Sequence, residues 1–347
     1  MKHLPQRMQA AYITELGPAD VIRYGQLPLP AIGPSQVLVR VEAVALNPVD
    51  AFVRSGAYVT PIRFPFVIGR DLVGTVVATG RQATRFTPGE RVWSNSLGHG
   101  GRQGSFAEYA LVPVERLYRL PLDVNPIQAV AVFHPAATAY LGLFRHGRLR
   151  PKETVFVAGG GGNVGTAVTQ LASAAGAQVI ASSREEDVDW CHAAGASAVV
   201  DYHDDDLADR IREAAPKGVD IYWDTSGHQD LTMAIELLAH RGRIVLMSGL
   251  RARSELPVGA LYTRDASVVG FAISNARTRD LAAAAELINR RLAQGVLRMR
   301  IGVTLPLREA RRAHMLMEGR VPGASVRGRM VLRPEFVDGE AESSGPR

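Results

Sequence analysis

The chain has one cysteine among its 347 residues, Cys191, so no disulfide can close within it and a structural zinc site built from thiolates is excluded. Such sparse cysteine suits a reducing compartment, and the cytoplasm is the expectation. No block of basic residues stands out either: 40 Lys and Arg against 34 Asp and Glu give a formal charge of +6, dispersed along the chain. That pattern argues against a nucleic acid as the main partner and suits an anionic cofactor equally well. Bias of the collagen-like, disordered or coiled-coil kind is missing, as is any internal repeat. Residues 1–13 include basic side chains, but Pro5, Gln6 and Gln9 interrupt them before any apolar core, which is not the pattern of a secretory signal. The longest uncharged stretch, 154–183, reaches membrane-spanning length yet holds four consecutive glycines, Asn163 and Gln170. It reads as strand, turn and helix of a buried sheet, so no membrane partner is expected.

At ~150 residues per domain, the length suggests two domains. The first third is β-rich, with period-two alternation over 36–44, a second strand at 71–80, and Pro and Gly recurring between strands. A barrel-like unit with long connections follows from that spacing. From about Pro126 the texture changes. Strands are predicted at 154–158, 178–182, 198–201, 219–224, 243–248 and 267–273, separated by helical patterns at 165–175, 187–194, 206–215 and 231–239. Repeated strand–helix–strand units of this length make a parallel, doubly wound sheet with helices on both faces. A helix at 278–293, another at 306–317 and a strand at 328–334 are expected to return to the first domain. The division is therefore 1–125 with 272–334, then 126–271, then a disordered acidic tail at 335–347.

Gly160-x-Gly162-x-x-Gly165 follows a predicted strand and opens a helix, which is the setting a pyrophosphate cradle requires. Gly160, Gly161, Gly162, Asn163, Val164 and Gly165 are the candidate phosphate contacts, with the helix N-terminus supplying free N–H groups. At the end of the next strand, where a carboxylate would bind the ribose 2'-hydroxyl, stand Ser182, Ser183 and Arg184. Two hydroxyls and a guanidinium suit a 2'-phosphate, so NADPH is the expected cofactor, with Glu185 and Glu186 turned away at a helix start. Tyr202 either packs beside the adenosine end or stands on the surface.

Asn47-Pro-Val-Asp50, Arg54-Ser-Gly-Ala-Tyr58, Gly69-Arg-Asp71-Leu-Val-Gly74, Gly104-Ser-Phe-Ala-Glu-Tyr109, Thr138-Ala-Tyr140, the glycine loop and Asp201-Tyr202 stand in a familiar order. Together they resemble the quinone oxidoreductase (zeta-crystallin-like) branch of the zinc-free medium-chain dehydrogenases/reductases, over about residues 8–334. The resemblance implies an α/β protein with a GroES-like β-barrel catalytic domain and a Rossmann domain, a cleft between them where NADPH meets the substrate, and a homodimer pairing through the strand near 268–271. Zinc-dependent relatives place a Cys where Asn47 stands and a His-Glu pair where Arg70-Asp71 stands. Asn is a poor zinc ligand and Arg is a cation, so no metal is expected.

The implied reaction, hydride transfer to a quinone or an activated alkene, needs geometry and a partner for the developing oxygen charge. Tyr58 is the first candidate to hydrogen-bond that oxygen, with a packing role as the alternative. Asn47 is expected near the nicotinamide, with a turn residue before Pro48 as the alternative, and Asp50 is expected to cap a helix start or to hold Asn47 in place. Thr138 matches the family threonine beside the carboxamide, with a plain helix residue as the alternative. Arg264 and Phe271 fall where the family lines the cofactor cleft, and Arg329 is placed to reach the 2'-phosphate. His134 is either a proton donor or a satisfied histidine at the domain seam, and the loop 95–103 either shapes access or is solvated. Cys191 reads as a packed core thiol. Quinone reduction is the leading reading; enone or enal reduction and cofactor binding without turnover are the alternatives.

Overall fold

A computed structural model of the chain describes residues 4–336 and divides into two units, one formed by the chain up to Leu120 together with that from Ile301 onward, the other by Pro121–Arg300. The tail expected to be disordered lies outside the described residues from 337 onward.

In the first unit, strand Gln36–Ala45 is the hub. It pairs antiparallel with Asp71–Thr79, with Tyr109–Pro113 and with the C-terminal strand Arg329–Arg333, which itself runs parallel to Ile301–Pro306. The expected period-two alternation is only partly kept: Val37, Leu38 and Val39 are all buried. The register against Asp71–Thr79 shifts between Leu38 and Val39, and such a bulge turns consecutive side chains inward on a strand with both faces covered. A smaller sheet, Arg23–Pro28, Arg7–Ile13 and Phe66–Val67, completes the barrel-like unit around one apolar core that includes Ile13, Val41, Phe66, Leu72 and Phe106.

The second unit is a six-stranded parallel sheet in the order Ala198–Asp201, Gln178–Ser183, Thr154–Ala158, Val219–Asp224, Leu238–Leu246, Ser267–Gly270. This is the doubly wound order expected of a dinucleotide fold. Helix Pro126–Tyr140 continues through a π turn, Leu141–His146; its 21 residues are long and apolar enough to span a membrane, yet most of it is buried as a core helix. The domain boundary differs from the sequence expectation. Residues 272–300 stay in the second unit, because helix Thr278–Ala293 lays its apolar face, Leu281, Ala284, Ala285 and Ile288, against Pro126–Tyr140. Gln170 then fastens the segment after the helix by bonds to the backbone N–H and carbonyl of Arg298, and the chain leaves only at Ile301.

Candidate nucleotide loop and buried charged cluster

Strand Thr154–Ala158 ends in Gly159, at φ 83°, and helix Asn163–Ala174 starts behind it with Gly162 as its N-cap. A Cβ on Gly165 would lie 2.1 Å from the Gly159 carbonyl oxygen and one on Gly160 2.6 Å from the Ala181 Cβ, so helix, loop and neighbouring strand meet at distances only glycine allows. The first-turn N–H groups of Asn163, Val164 and Gly165 have no carbonyl partner inside the helix. These are the donors of an anion cradle, and they fit a pyrophosphate.

The two serines differ from their expected place. Ser182 and Ser183 are buried, the first accepting from the Gly159 N–H at 3.2 Å and the second donating to the Arg184 carbonyl at 2.9 Å. The Ser182 hydroxyl braces the loop and the Ser183 hydroxyl the strand end, instead of standing at the surface beside the Arg184 guanidinium. Arg184 is exposed, and its Nε donates to the Tyr202 hydroxyl at 2.6 Å, so adjacent parallel strands bring a guanidinium and a phenol together. Asp187 carries a signal that the sequence reading passed over. The short 3-10 turn Glu185–Asp187 brings its carboxylate against Gly161, where Arg300 pairs with it at 2.7 Å and stacks over Trp190. Without that pair a carboxylate beside the cradle would repel a phosphate.

Thr138 is buried on helix Pro126–Tyr140 and donates its hydroxyl to the His134 carbonyl at 2.9 Å; His134 is buried on the same helix. Phe271, just past the C-terminal end of strand Ser267–Gly270, stacks on His146 with ring centroids 4.9 Å apart and meets Trp223 edge-on. It therefore lies at the sheet edge from which the glycine loop also emerges. Arg264 does not: it precedes that strand, with its carbonyl accepting from the Arg241 N–H. In a parallel sheet a residue before a strand sits at the opposite end from a loop after one, which corrects its expected place by the cofactor. Cys191 packs against Ala181 and Ala196 as a core thiol, its pKa raised by burial.

The first unit gathers Asn47, Asp50, Arg70, Asp71 and Arg329, all at most 3% exposed. Asp50 accepts the Asn47 N–H at 2.8 Å and so caps helix Pro48–Ser55, as expected. The Asn47 amide is fully engaged: Nδ2 donates to Asp71 at 3.1 Å, and Oδ1 accepts from Arg329 Nη2 at 2.9 Å. Arg329 also lies 3.6 Å from the Asp71 carboxylate. Its placement corrects the expectation that it reaches a 2'-phosphate, since its guanidinium is buried against Asn47 and Asp71 at the inner end of the C-terminal strand. Burial pushes the carboxyls of Asp50 and Asp71 up and the guanidiniums of Arg70 and Arg329 down, each opposed by the neighbouring opposite charges.

Tyr58 follows helix Pro48–Ser55 and is half-buried, with its ring 5.6 Å from that of His99. His99 belongs to the loop 95–103, which is anchored rather than freely solvated. Gly100 N–H donates to Thr60 Oγ1, Gly101 N–H to the Pro61 carbonyl, and the Gln103 side chain joins Val67, Arg63 and Pro65. Burial first, then the nearby Arg70, Arg102 and Arg116, pushes the His99 pKa down to about 4, so its imidazole is neutral at pH 7.

Residues 33–122 match the alcohol dehydrogenase GroES-like domain, and residues 163–290 match the zinc-binding dehydrogenase family. Mouse quinone oxidoreductase is 30% identical over 94% of this chain and 97% of its own length. The crystal structure of an NAD-dependent alcohol dehydrogenase superposes with a TM-score of 0.83 at 29% identity, covering 94% of this chain and 99% of that one. A mycobacterial protein solved in complex with NADPH superposes with a TM-score of 0.82 at 29% identity, covering 94% of this chain and all of the other. With a GroES-like barrel, a Rossmann sheet in dinucleotide-binding order and full-length similarity to quinone oxidoreductases, the chain belongs to the quinone oxidoreductase family of medium-chain dehydrogenases/reductases, enzymes that use a nicotinamide cofactor.

Proposed function

We propose that the protein is a zinc-independent, NADPH-dependent oxidoreductase that transfers a hydride to a quinone. The observation that carries this reading is the donor set of the buried cluster. At the positions where zinc-dependent relatives hold their metal stand an amide, a guanidinium and a carboxylate, with the Arg329 guanidinium 2.9 Å from Asn47 and 3.6 Å from Asp71. Among the described residues no three His, Cys, Asp or Glu side chains converge. Two buried cations and a neutral amide do not fit a zinc ion, so no step is routed through one.

The nucleotide loop fits a dinucleotide. Reduced nicotinamide, when bound, supplies the hydride. Gly161, Asn163, Val164 and Gly165 would hold the pyrophosphate on backbone N–H groups, while Gly162, its N–H given to the Gly159 carbonyl, closes the turn and Gly160 keeps the neighbouring strand close. Arg184, steadied by Tyr202, binds the 2'-phosphate, which favours NADPH over NADH. The Thr138 hydroxyl, its proton given to His134, keeps lone pairs for the carboxamide N–H group, and Phe271 packs beside it. Tyr58 donates to the acceptor oxygen, while Asn47, Asp50 and Arg329 position the barrel segment that carries it. The half-exposed edge strand Ser267–Gly270 is the surface for pairing two copies into a homodimer, and a lone buried cysteine suits a cytoplasmic protein.

The test is oxidation of NADPH and of NADH by chelator-treated protein with para-benzoquinone, phenanthrenequinone, an enone and a simple aldehyde. Quinone turnover with NADPH, unchanged by the chelator, is expected. Turnover of the enone alone reassigns the acceptor to an activated alkene. Loss of activity on chelation overturns the zinc-independent reading, and tight NADPH binding without any turnover identifies a non-catalytic binding protein.

A further inference from the structure

Arg70 is 2% exposed, and its Nε and Nη2 have no hydrogen-bonding partner within the described chain. A buried guanidinium with idle N–H groups is costly, and a chain carries one where something else satisfies it. The nearby carboxylates do not do so: Asp50 accepts from the Asn47 N–H, and Asp71 Oδ2 faces Asn47 and Arg329. Tyr58 lies within electrostatic reach of Arg70, its ring beside His99, and Arg102 is fixed on the same loop by a bond from its Nε to the Ser96 carbonyl at 3.0 Å. Leu97 ties this loop directly to Arg70, donating its N–H to the Arg70 carbonyl. The imidazole of His99 is neutral, so it adds no charge of its own, and the cations Arg70, Arg102, Arg116 and Arg329 still outnumber the carboxylates Asp50, Asp71 and Glu115. Such a place takes an oxygen bearing negative charge.

We propose that Arg70 binds the carbonyl oxygen of the acceptor and holds the charge that collects there as it is reduced, with the Tyr58 hydroxyl as the second donor. The assignment rests on the hydride-transfer reading above. The acceptor gains one hydride and then one proton. Its new bond to hydrogen forms as its π pair is displaced onto oxygen, the dihydronicotinamide being oxidised in the same step, and the resulting enolate or phenolate takes a proton from water. Acceptors whose charge delocalises onto a carbonyl oxygen, quinones and enones alike, are the class this site selects.

The test uses para-nitrophenolate, a stable phenolate, as a probe titrated by its visible absorbance into NADPH-loaded protein. The wild type is expected to bind the phenolate form and lower the phenol's apparent pKa. Arg70→Met weakens binding by about tenfold or more, as loss of a charge-assisted contact does, and lowers kcat by a similar factor while the affinity for NADPH is unchanged. Arg70→Lys keeps the charge but not the fork, and is expected to fall between them; it also answers the question if Arg70→Met does not fold. Wild-type phenolate binding and wild-type kcat in whichever of these variants folds overturn the proposal. The two readings fail separately. Phenolate binding that depends on Arg70 in a protein that reduces nothing supports the anion site and sinks the enzyme, whereas quinone turnover indifferent to Arg70 does the reverse.

Discussion

The glycine loop of the second unit and the charged cluster of the first are built from opposite materials. The loop is backbone: its donors are N–H groups, its geometry is set by missing Cβ atoms, and it spans only seven consecutive residues, 159–165. The cluster is side chain: Asn47, Asp50, Arg70, Asp71 and Arg329 come from three separate parts of the chain, and their charges sit where water cannot screen them. A backbone site tolerates changes around it as long as the glycines stay. A buried side-chain network does not, because each member is the partner that makes another affordable to bury.

The largest effect that would break this contrast is therefore on the cluster. Arg329→Met leaves Asp71 without its nearest guanidinium and Asn47 Oδ1 without a donor, and is expected to lower stability to urea by about 3–5 kcal/mol at pH 8. The double variant Arg329→Met with Asp71→Asn removes the stranded charge and should recover at least half of that loss. The deficit of the single variant also shrinks at pH 5, since the Asp71 carboxyl, already pushed up by burial, can take a proton. A single-variant loss below about 1 kcal/mol would mean that the five residues are neighbours without being a coupled unit.

The same contrast explains what could be read from the sequence. The loop and the parallel, doubly wound sheet were legible because each depends on local spacing: a glycine triplet after a strand, and strand–helix–strand repeats that make neighbouring strands parallel. The bond between Arg184 and Tyr202 was not, because it needs the register of two particular strands. Arg329 was misplaced because only the fold says that the C-terminal strand pairs with Gln36–Ala45, which carries it to Asn47 instead of to the nucleotide. Arg264 was misplaced for a related reason. Its distance in sequence from Phe271 is small, yet a strand between them puts them at opposite ends of the sheet. The hydroxyls of Ser182 and Ser183 were read as ligands of a phosphate, whereas burial turns the first to the Gly159 N–H and the second to the Arg184 carbonyl. Helix Thr278–Ala293 was assigned to the wrong unit since an amphipathic pattern reveals that a face is buried, not against what.

A second measurement sharpens the loop side of the comparison. The Arg184 guanidinium is exposed and donates to another exposed side chain, the Tyr202 hydroxyl, so Arg184→Asp should leave the melting temperature unchanged. Its effect belongs to the ligand: a carboxylate replaces the cation facing the 2'-phosphate, and NADPH affinity is expected to fall by about a hundredfold while NADH affinity holds. Equal losses for the two cofactors in calorimetric titration would remove the 2'-phosphate from this position.

The smallest effect concerns a third buried cation in the first unit, Arg54, and it runs against the first effect. Arg54 donates to Gly17, pairs with Glu318 at 2.6 Å and lies 3.0 Å from His314 Nδ1, while His314 is fully buried with Phe106 edge-on to its ring. Burial, reinforced by Arg54, holds the His314 pKa down to about 3, so the folded chain keeps this imidazole neutral where the unfolded chain, titrating near its ordinary value of about 6.5, takes up a proton. The unfolded state then binds more protons between these values, and stability rises with pH across that window: the contribution is whole above about pH 6.5 and is lost as pH falls below it, by about 2 kcal/mol at pH 5. Asp50 and Asp71 act in the opposite sense. Their folded pKa values are raised above the unfolded ones, so the folded chain binds more protons and stability falls as pH rises from about 4 toward about 6 for Asp50 and about 7 for Asp71. The wild-type profile sums the two, which is why the measurement is a difference: His314→Gln, which can still accept from Arg54 and has no proton to gain, against wild type at pH 8 and pH 5. The wild type is expected to lose its advantage on acidification, and a difference that does not change with pH would mean that His314 is not held neutral by its surroundings.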